Sequence, residues 1–434
     1  MEEIKNVKGT HDIFGDETNA YEKVESLMKS IAEIYAFNGV RPPVLEYNSV
    51  FTRGVGESSD IVRKEMYTFP DKGGRDLTLR PEFTAGIMRL VVQNKLYATN
   101  ELPLKLYYVG PVFRYERPQL GRYRQFNQFG VESIGHNSAS SDVEVIVLAY
   151  TILCSLGLEN VKIKINTLGD EESRNAYRAA LKEYFGQHIN NMCEDCKSRY
   201  ELNPLRILDC KVPEDHIYID GAPKIGSFLS EASKARFDEV LASLEALQIP
   251  YEIDQSLVRG LDYYSETVFE FHYKSAKGND YGAVGAGGHY GKLMSELGGP
   301  DLPGVGFSFG VERIVSVLKD DELLNDIETS VDAYIMPMDE SVRIYAQEIA
   351  VILRNSGGYR VDMCFDKTKL GNMFKRANNK KAKFAIILGE NERKDNVVVI
   401  KDLAKQEQYT VKVEELIDKF DELYESASAE GENE

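Results

Sequence analysis

Four arginines stand against one glutamate in the segment Phe113-Arg-Tyr-Glu-Arg-Pro-Gln-Leu-Gly-Arg-Tyr-Arg124. A guanidinium is a planar fork that grips an oxyanion at two points, so such a cluster on a hairpin suits a phosphate clamp. Strand alternation places Arg114 with Glu116, and Gln128 with Glu132 across the bare Gly130. A sheet face carrying Arg, Gln and Glu is expensive to bury and more natural as the floor of a polar pocket, although a solvent-exposed face shows the same parity. Arg313 follows the glycine-rich run Gly304-Val-Gly-Phe-Ser-Phe-Gly310 in the first turn of an expected helix, where free N–H groups and the helix dipole favour an anion. That spacing is not the dinucleotide fingerprint, and no GxxxxGKS or GxxxxGKT occurs, so phosphate chemistry here needs a site of another kind.

Three further groups carry chemistry-bearing side chains. Arg259, in Leu257-Val-Arg-Gly-Leu-Asp-Tyr-Tyr264, is either a site residue or the ion-pair partner of Asp262. Leu79-Arg-Pro-Glu-Phe-Thr84 reads on its own as a helix start, with Thr84 as cap and Glu82 favoured by the dipole. Cys193-x-x-Cys196 and Cys210 are three thiols, one ligand short of a zinc set that His188 or His216 could complete.

The elements that must position these groups follow from periodicity. Residues 16–38 form an amphipathic helix, with Val24, Leu27, Met28, Ile31, Ile34 and Tyr35 on one stripe and Gly39 ending it. Strands are expected after Pro43, at 106–116, 124–134, 256–272 and 303–309. This succession predicts an α+β domain over residues 1–328 with a mostly antiparallel sheet, interrupted by a largely helical insertion at about 171–250. Beyond an acidic connector the pattern alternates, strand 331–338, helix 340–355, strand 359–365, helix 368–381 and strand 384–389. That predicts an α/β module with a parallel sheet over 329–425, then an acidic tail, 426–434, expected to be disordered.

Composition removes other classes. Of 434 residues, 43% are hydrophobic and 28% charged, which is the make-up of a folded globular protein. The net charge of −18 argues against a protein that coats nucleic acid non-specifically, but residues 414–434 supply −8 of it, leaving room for local basic sites. One such site is 367–383, with Lys367, Lys369, Lys375, Arg376, Lys380, Lys381 and Lys383 and no acid. The opening Met-Glu-Glu-Ile-Lys lacks an apolar leader, the most apolar stretch (143–158) is too short and polar to span a bilayer, and five cysteines are an odd number. A cytoplasmic protein with reduced thiols and no membrane partner is expected.

Jointly and in this order, the motifs resemble the class II histidyl-tRNA synthetases. Lys8-Gly-Thr-His-Asp12 is similar to that family's N-terminal signature; residues 31–46, 106–132 and 303–315 resemble class II motifs 1, 2 and 3. Leu257–Tyr264 resembles the histidine-specific signature, and the C-terminal module the anticodon-binding domain. The second histidine motif departs from Ala-Gly-Gly-Arg-Tyr-Asp, reading Ala286-Gly-Gly-His-Tyr-Gly291 here. The resemblance implies ATP-dependent attachment of histidine to tRNA(His) through histidyl-adenylate, in a homodimer, with ATP as substrate and Mg2+ beside it. It implies Arg114, Arg259 and Arg313 as catalytic and Arg114, Glu116 and Arg313 as ATP-binding residues. Histidine would be held by Glu82, Phe83, Thr84, Gln128, Glu132, Arg259, Tyr263 and Tyr264, and tRNA by Gln119, Arg122, Lys375, Arg376, Lys380 and Lys381. It implies no metal held by the protein, so the three cysteines become core residues of the insertion. The alternative is a non-catalytic, histidine-sensing regulatory paralogue of histidine biosynthesis, which generally lacks the C-terminal module.

Overall fold

The structure is a computed structural model that describes residues 3–56, 59–98, 101–117, 121–325 and 330–431. The chain divides into two compact units, Met1–Asp326 and Ile327–Glu434.

The first unit is built on an eight-stranded sheet. Its order is Asn38–Gly39, Leu104–Phe113, Gln125–Ile134, Gly304–Gly310, Asp280–Tyr290, Tyr264–Lys274, Lys162–Thr167 and Tyr251–Ile253. Every pairing is antiparallel except those of the two short edge strands, so the expected mostly antiparallel sheet is present. Helices Asp16–Ile34, Ala139–Ser155 and Val311–Asp320 pack against it and against one another. The apolar stretch at 143–158 is thus a core helix, burying Val145, Ile146, Leu148, Ala149 and Ile152 completely. The parity of Gln125–Ile134 holds: Phe129 and Val131 are fully buried, while Gln128, Gly130 and Glu132 alternate with them. Gly130 has to be glycine, because a Cβ there would lie 2.3 Å from the Tyr108 hydroxyl and 2.4 Å from the Phe307 carbonyl.

Several boundaries differ from the periodicity. The first helix stops at Ile34 rather than residue 38, because Ala36 takes a left-handed conformation (φ 62°) and turns the chain into its edge strand. The hairpin strands end at Phe113 and resume at Gln125, so Arg114 and Glu116 lie beyond the ladder and strand parity does not aim them. Residues 256–263 are a loop, and the strand begins only at Tyr264; Leu257 gives this stretch a strand-like apolar look by anchoring the loop in the core.

The helical insertion is present. It leaves after Lys162–Thr167 and returns at Tyr251–Ile253, two strands that pair side by side. Between them lie helices Glu171–Gly186, Glu194–Leu202 and Glu231–Ala246, with a small core of their own around Tyr177, Leu181, Phe185, Cys196 and Ile207.

In the second unit, Val361–Met363, Ala333–Pro337 and Phe384–Leu388 are parallel, as the alternation predicts. The sheet is nevertheless mixed: Val397–Asp402 and Gln408–Lys412 extend it as an antiparallel hairpin. The run Val397-Val-Val-Ile400 was the available signal for it. The C-terminal helix is Leu416–Gly431, and 432–434, the end of the tail expected to be disordered, lie outside the described residues. Its early turns bury Leu416, Phe420 and Leu423 against this sheet's core.

Candidate active site

A pocket of about 400 Å³ opens on the first unit's sheet, and it collects groups from stretches spread between Asp60 and Arg313. Arg114, Arg259 and Arg313 all line it, together with Glu82, Thr84, Glu116, Arg122, Gln128, Glu132, Tyr263 and Tyr264. Phe83 is the exception among the expected histidine-binding residues. It lies behind the wall, its ring stacked at 4.3 Å on Tyr108 and covered by Arg80, and so positions that tyrosine instead of facing a ligand. Gln119 lies outside the described residues.

The inner end is built around Glu132, which is 1% exposed. Thr84 Oγ1 donates to its Oε1 at 2.7 Å, Tyr290 OH to its Oε2 at 2.7 Å, and Tyr108 OH reaches Oε1 at 3.4 Å. Gly306, on the adjacent strand, leaves the space this carboxylate occupies; a Cβ there would come within 2.2 Å of Oε2. Burial pushes the Glu132 pKa up to about 8 despite those three donors, because a charge without a cationic partner is costly in a dry site. Glu82, equally buried, accepts from the Thr84 and Ala85 backbone N–H groups at 2.6 and 2.9 Å. The helix Thr84–Gln93 is therefore capped by Glu82 and not by Thr84, whose hydroxyl is already turned to Glu132. Burial again pushes Glu82 up.

The three arginines line the same pocket. Arg259 pairs with Glu270 rather than Asp262, since the loop carries it across Tyr264 with its guanidinium 5.5 Å from that ring. Burial works against its charge, but Tyr264 and Glu270 outweigh that and hold its pKa above the ordinary value. Asp262 instead accepts from Asn203. Arg114 donates through Nε to the Pro81 carbonyl at 2.8 Å, which leaves the outer nitrogens of its fork for the pocket; Glu116 is 3.8 Å away. Arg313 sits in the first turn of Val311–Asp320 and donates to the Ala283 carbonyl at 2.6 Å. Burial and the facing Arg122 both depress its pKa, against the opposing pull of Glu116. Arg122, expected at a loop tip, lines this wall and lies 3.6 Å from Glu116.

Sequence reasoning missed Tyr108, Glu270, Phe126 and the contact made by Tyr290. Glu270 could have been found by strand parity with Tyr264, and Tyr108 from its position opposite Gly130. At the departure, His289 Nδ1 lies 3.1 Å from the fully buried Asp142, and Arg236, from the insertion's last helix, places its guanidinium 2.9 Å from the same carboxylate. Thr267 donates to it as well. At Gly291 a Cβ would meet only Ser265 Oγ, at 3.6 Å.

In the second unit, helix Leu370–Asn379 and its exit carry Lys375, Lys380 and Lys381 on the exposed surface. The stretch is less basic than its own sequence suggests, because neighbouring segments bring acids to it. Asp366 pairs with Arg376 at 2.9 Å, Asp362 with Lys380 at 2.6 Å, and Asp332 stands 4.0 Å from Lys383.

Comparison with known proteins agrees with this arrangement. Residues 9–314 match the family model "Histidyl-tRNA synthetase" and residues 332–423 match "Anticodon binding domain". The histidine–tRNA ligase of Bacillus subtilis strain 168 is 45% identical over 413 residues, covering 94% of this chain and 96% of that protein. That of Lysinibacillus sphaericus is 43% identical over 417 residues, with 95% and 98% covered. The apo histidyl-tRNA synthetase of Staphylococcus aureus superposes with a TM-score of 0.82 at 35% identity, covering 96% of this chain and all of that one. The regulatory-paralogue alternative is not favoured by these relatives or by the matched C-terminal module. With both units matched over nearly their whole length and the pocket built from the three arginines and the buried glutamate, the chain belongs to the histidyl-tRNA synthetase family and is a class II aminoacyl-tRNA synthetase.

Proposed function

We propose that the pocket activates L-histidine with ATP and passes it to tRNA(His). One observation carries this reading: the buried Glu132, held by Thr84, Tyr290 and Tyr108, lines the same pocket as three arginines. The histidine carboxylate attacks the α-phosphorus of ATP, pyrophosphate leaves, and the terminal tRNA adenosine then takes the histidyl group, releasing AMP. Arg114 and Arg259 bracket the α-phosphate and attacking carboxylate, and Arg313 binds the far end of the triphosphate at its helix N-terminus. Phe126, beneath the Arg114 guanidinium at 5.4 Å, offers a stacking surface to the base. Glu82, Thr84 and Gln128 take the substrate ammonium, while Glu132 and Tyr264 read the imidazole. Such a site rejects apolar amino acids because its own polar groups would be left unpaired. Histidine-dependent ATP–pyrophosphate exchange, run against a panel of amino acids, tests the reading; exchange with any other amino acid at comparable efficiency overturns it.

Magnesium fits this site as a companion of the triphosphate. It is usually held by one or two carboxylates plus substrate phosphates, and Glu65 and Glu116 supply that pair beside Arg114 and Arg122. Burial and then the neighbouring Glu116 push Glu65 up, so a cation would relieve both. Bound there, the ion would neutralise phosphate charge.

Lys375, Arg376, Lys380 and Lys381 contact tRNA phosphates in the second unit, with Arg122 and Gln119 toward the acceptor end. Replacing Lys380 and Lys381 by Ala is expected to weaken aminoacylation and make its salt dependence shallower, by about one log–log unit for each phosphate no longer neutralised. Pyrophosphate exchange should stay unchanged. An unaltered salt slope removes the patch from tRNA binding.

The active form is a homodimer, for which residues 31–47 leave apolar surface uncovered: Ile34 is 77% exposed, Leu45 47% and Tyr47 51%. Leu45→Asp with Tyr47→Asp is expected to shift sedimentation toward the 49.0 kDa single chain; an unchanged dimer places the interface elsewhere. The cytoplasm is the proposed site of action, supported by five free cysteines. Among the described residues no helix is long and apolar enough to cross a membrane.

A further inference from the structure

Three of those cysteines lie together. Cys193, Cys196, Cys210 and Asp215 each offer a ligand atom, and the four atoms all lie within 4.8 Å of one another. Asp215, which sequence spacing did not suggest, takes the place considered for His188 or His216. His188 is stacked on Tyr218, and His216 is exposed on the short helix that Asp215 precedes. We propose that these four residues form a structural zinc site in the insertion.

Two of the ligand separations lie close to those around a tetrahedral zinc ion. Zn–S bonds of about 2.3 Å place two sulfurs about 3.8 Å apart, and a carboxylate oxygen about 3.6 Å from a sulfur. Here Cys193 Sγ and Cys210 Sγ are 3.8 Å apart, and Cys210 Sγ and Asp215 Oδ2 3.3 Å. The surrounding donors suit thiolates. The Cys196 backbone N–H donates to Cys193 Sγ and that of Val212 to Cys210 Sγ, both at 3.4 Å. Cys193 also caps the N-terminus of helix Glu194–Leu202, where the dipole favours negative charge. The Cys193 N–H in turn orients Asp215 at 3.2 Å. Cys196, Cys210 and Asp215 are buried and only Cys193 is partly open, so the set is closed, as structural zinc sites are, with no open coordination position for catalysis. Three soft sulfurs and one oxygen select zinc over magnesium or calcium.

The location gives the ion a task. Cys196 and Cys210 bound the segment holding Arg199, Asn203 and Arg206. Arg199 and Arg206 pair with Asp60, Arg206 donates to the Gly260 carbonyl, and Asn203 to Asp262. Zinc therefore clamps the segment that buttresses the loop presenting Arg259.

The test is elemental analysis of the full-length chain, isolated without a metal-binding tag from zinc-supplemented culture. About one zinc per chain is expected, with about three additional thiols becoming reactive when it is removed. Cobalt replacing zinc should show thiolate-to-cobalt charge-transfer absorption. Asp215→Ala should weaken zinc affinity about tenfold or more, and Asp215→His should retain it. Amide exchange at 257–263 should rise on zinc removal. Less than about a tenth of an equivalent of zinc, with no cobalt–thiolate band, overturns the site, as does a Cys193–Cys210 disulfide in the freshly isolated protein. Unchanged exchange at 257–263 overturns the clamp. Zinc content is read independently of histidine activation, so either result leaves the proposed reaction to its own assay.

Discussion

Arg259→Ala is expected to lower the rate of histidine-dependent ATP–pyrophosphate exchange by about 10²–10³, the 2.7–4 kcal/mol lost when a preorganised oxyanion donor is removed. The residue's setting explains so large an effect. Its guanidinium is held between Glu270 and the Tyr264 ring before any substrate arrives, so no reorganisation is needed as charge develops on phosphorus. The fold should tolerate the loss, because Glu270 keeps the His272 Nε2 contact at 2.8 Å. Arg259→Lys should recover only part of the rate, since an ammonium keeps the charge but not the fork. Added guanidinium should rescue the alanine variant more than the lysine one. A loss under about threefold in Arg259→Ala would show that this group takes no part in the transition state.

Glu132→Ala should raise the histidine KM roughly 10- to 150-fold, the range set by 1.5–3 kcal/mol for a hydrogen bond to a charged group, while the ATP KM moves little. Equal rises in both would remove Glu132 from imidazole recognition. The buried carboxyl also leaves a pH signature in the unliganded protein. With a folded pKa of about 8, it keeps a proton between about pH 4.5 and 8 that the unfolded chain has already lost. Its contribution therefore favours folding at low pH and is lost progressively as pH rises through that window. Glu132→Gln removes the titration, so the fall in Tm between pH 5 and 8.5 should be shallower in the variant. An identical fall in both proteins would mean that Glu132 does not carry the proton.

Much of this site was legible because it is written in local patterns. Alternation along Gln125–Ile134 aims Gln128 and Glu132 correctly, and a helix start after a glycine-rich strand places Arg313 in its first turn. Errors arose where long-range geometry decides. Arg259 has an aspartate three residues away, yet reaches Glu270 on the following strand because residues 256–263 are a loop. Thr84 looks like a cap by type, but Glu82 can satisfy two backbone donors at once, and that frees the hydroxyl for Glu132. Asp215 is invisible as a companion of Cys193 until two short turns, Pro204–Asp209 and Pro213–Asp215, fold the chain back. The added hairpin of the C-terminal sheet was missed for a simpler reason, as the expected alternation of strand and helix ends before it.

The partnership of Arg236, His289 and Asp142 bears on how this enzyme could be dissected. The insertion looks separable, because it departs and rejoins at two neighbouring strands and encloses its own apolar cluster. Yet its last helix lends a cation to a carboxylate sealed beneath the main sheet. Excising the whole lobe would strand that anion in the interior with only a histidine and hydroxyl for company, at a cost of about 3–5 kcal/mol. A minimal catalytic fragment would therefore have to retain Glu231–Ala246, or neutralise Asp142 when that helix goes.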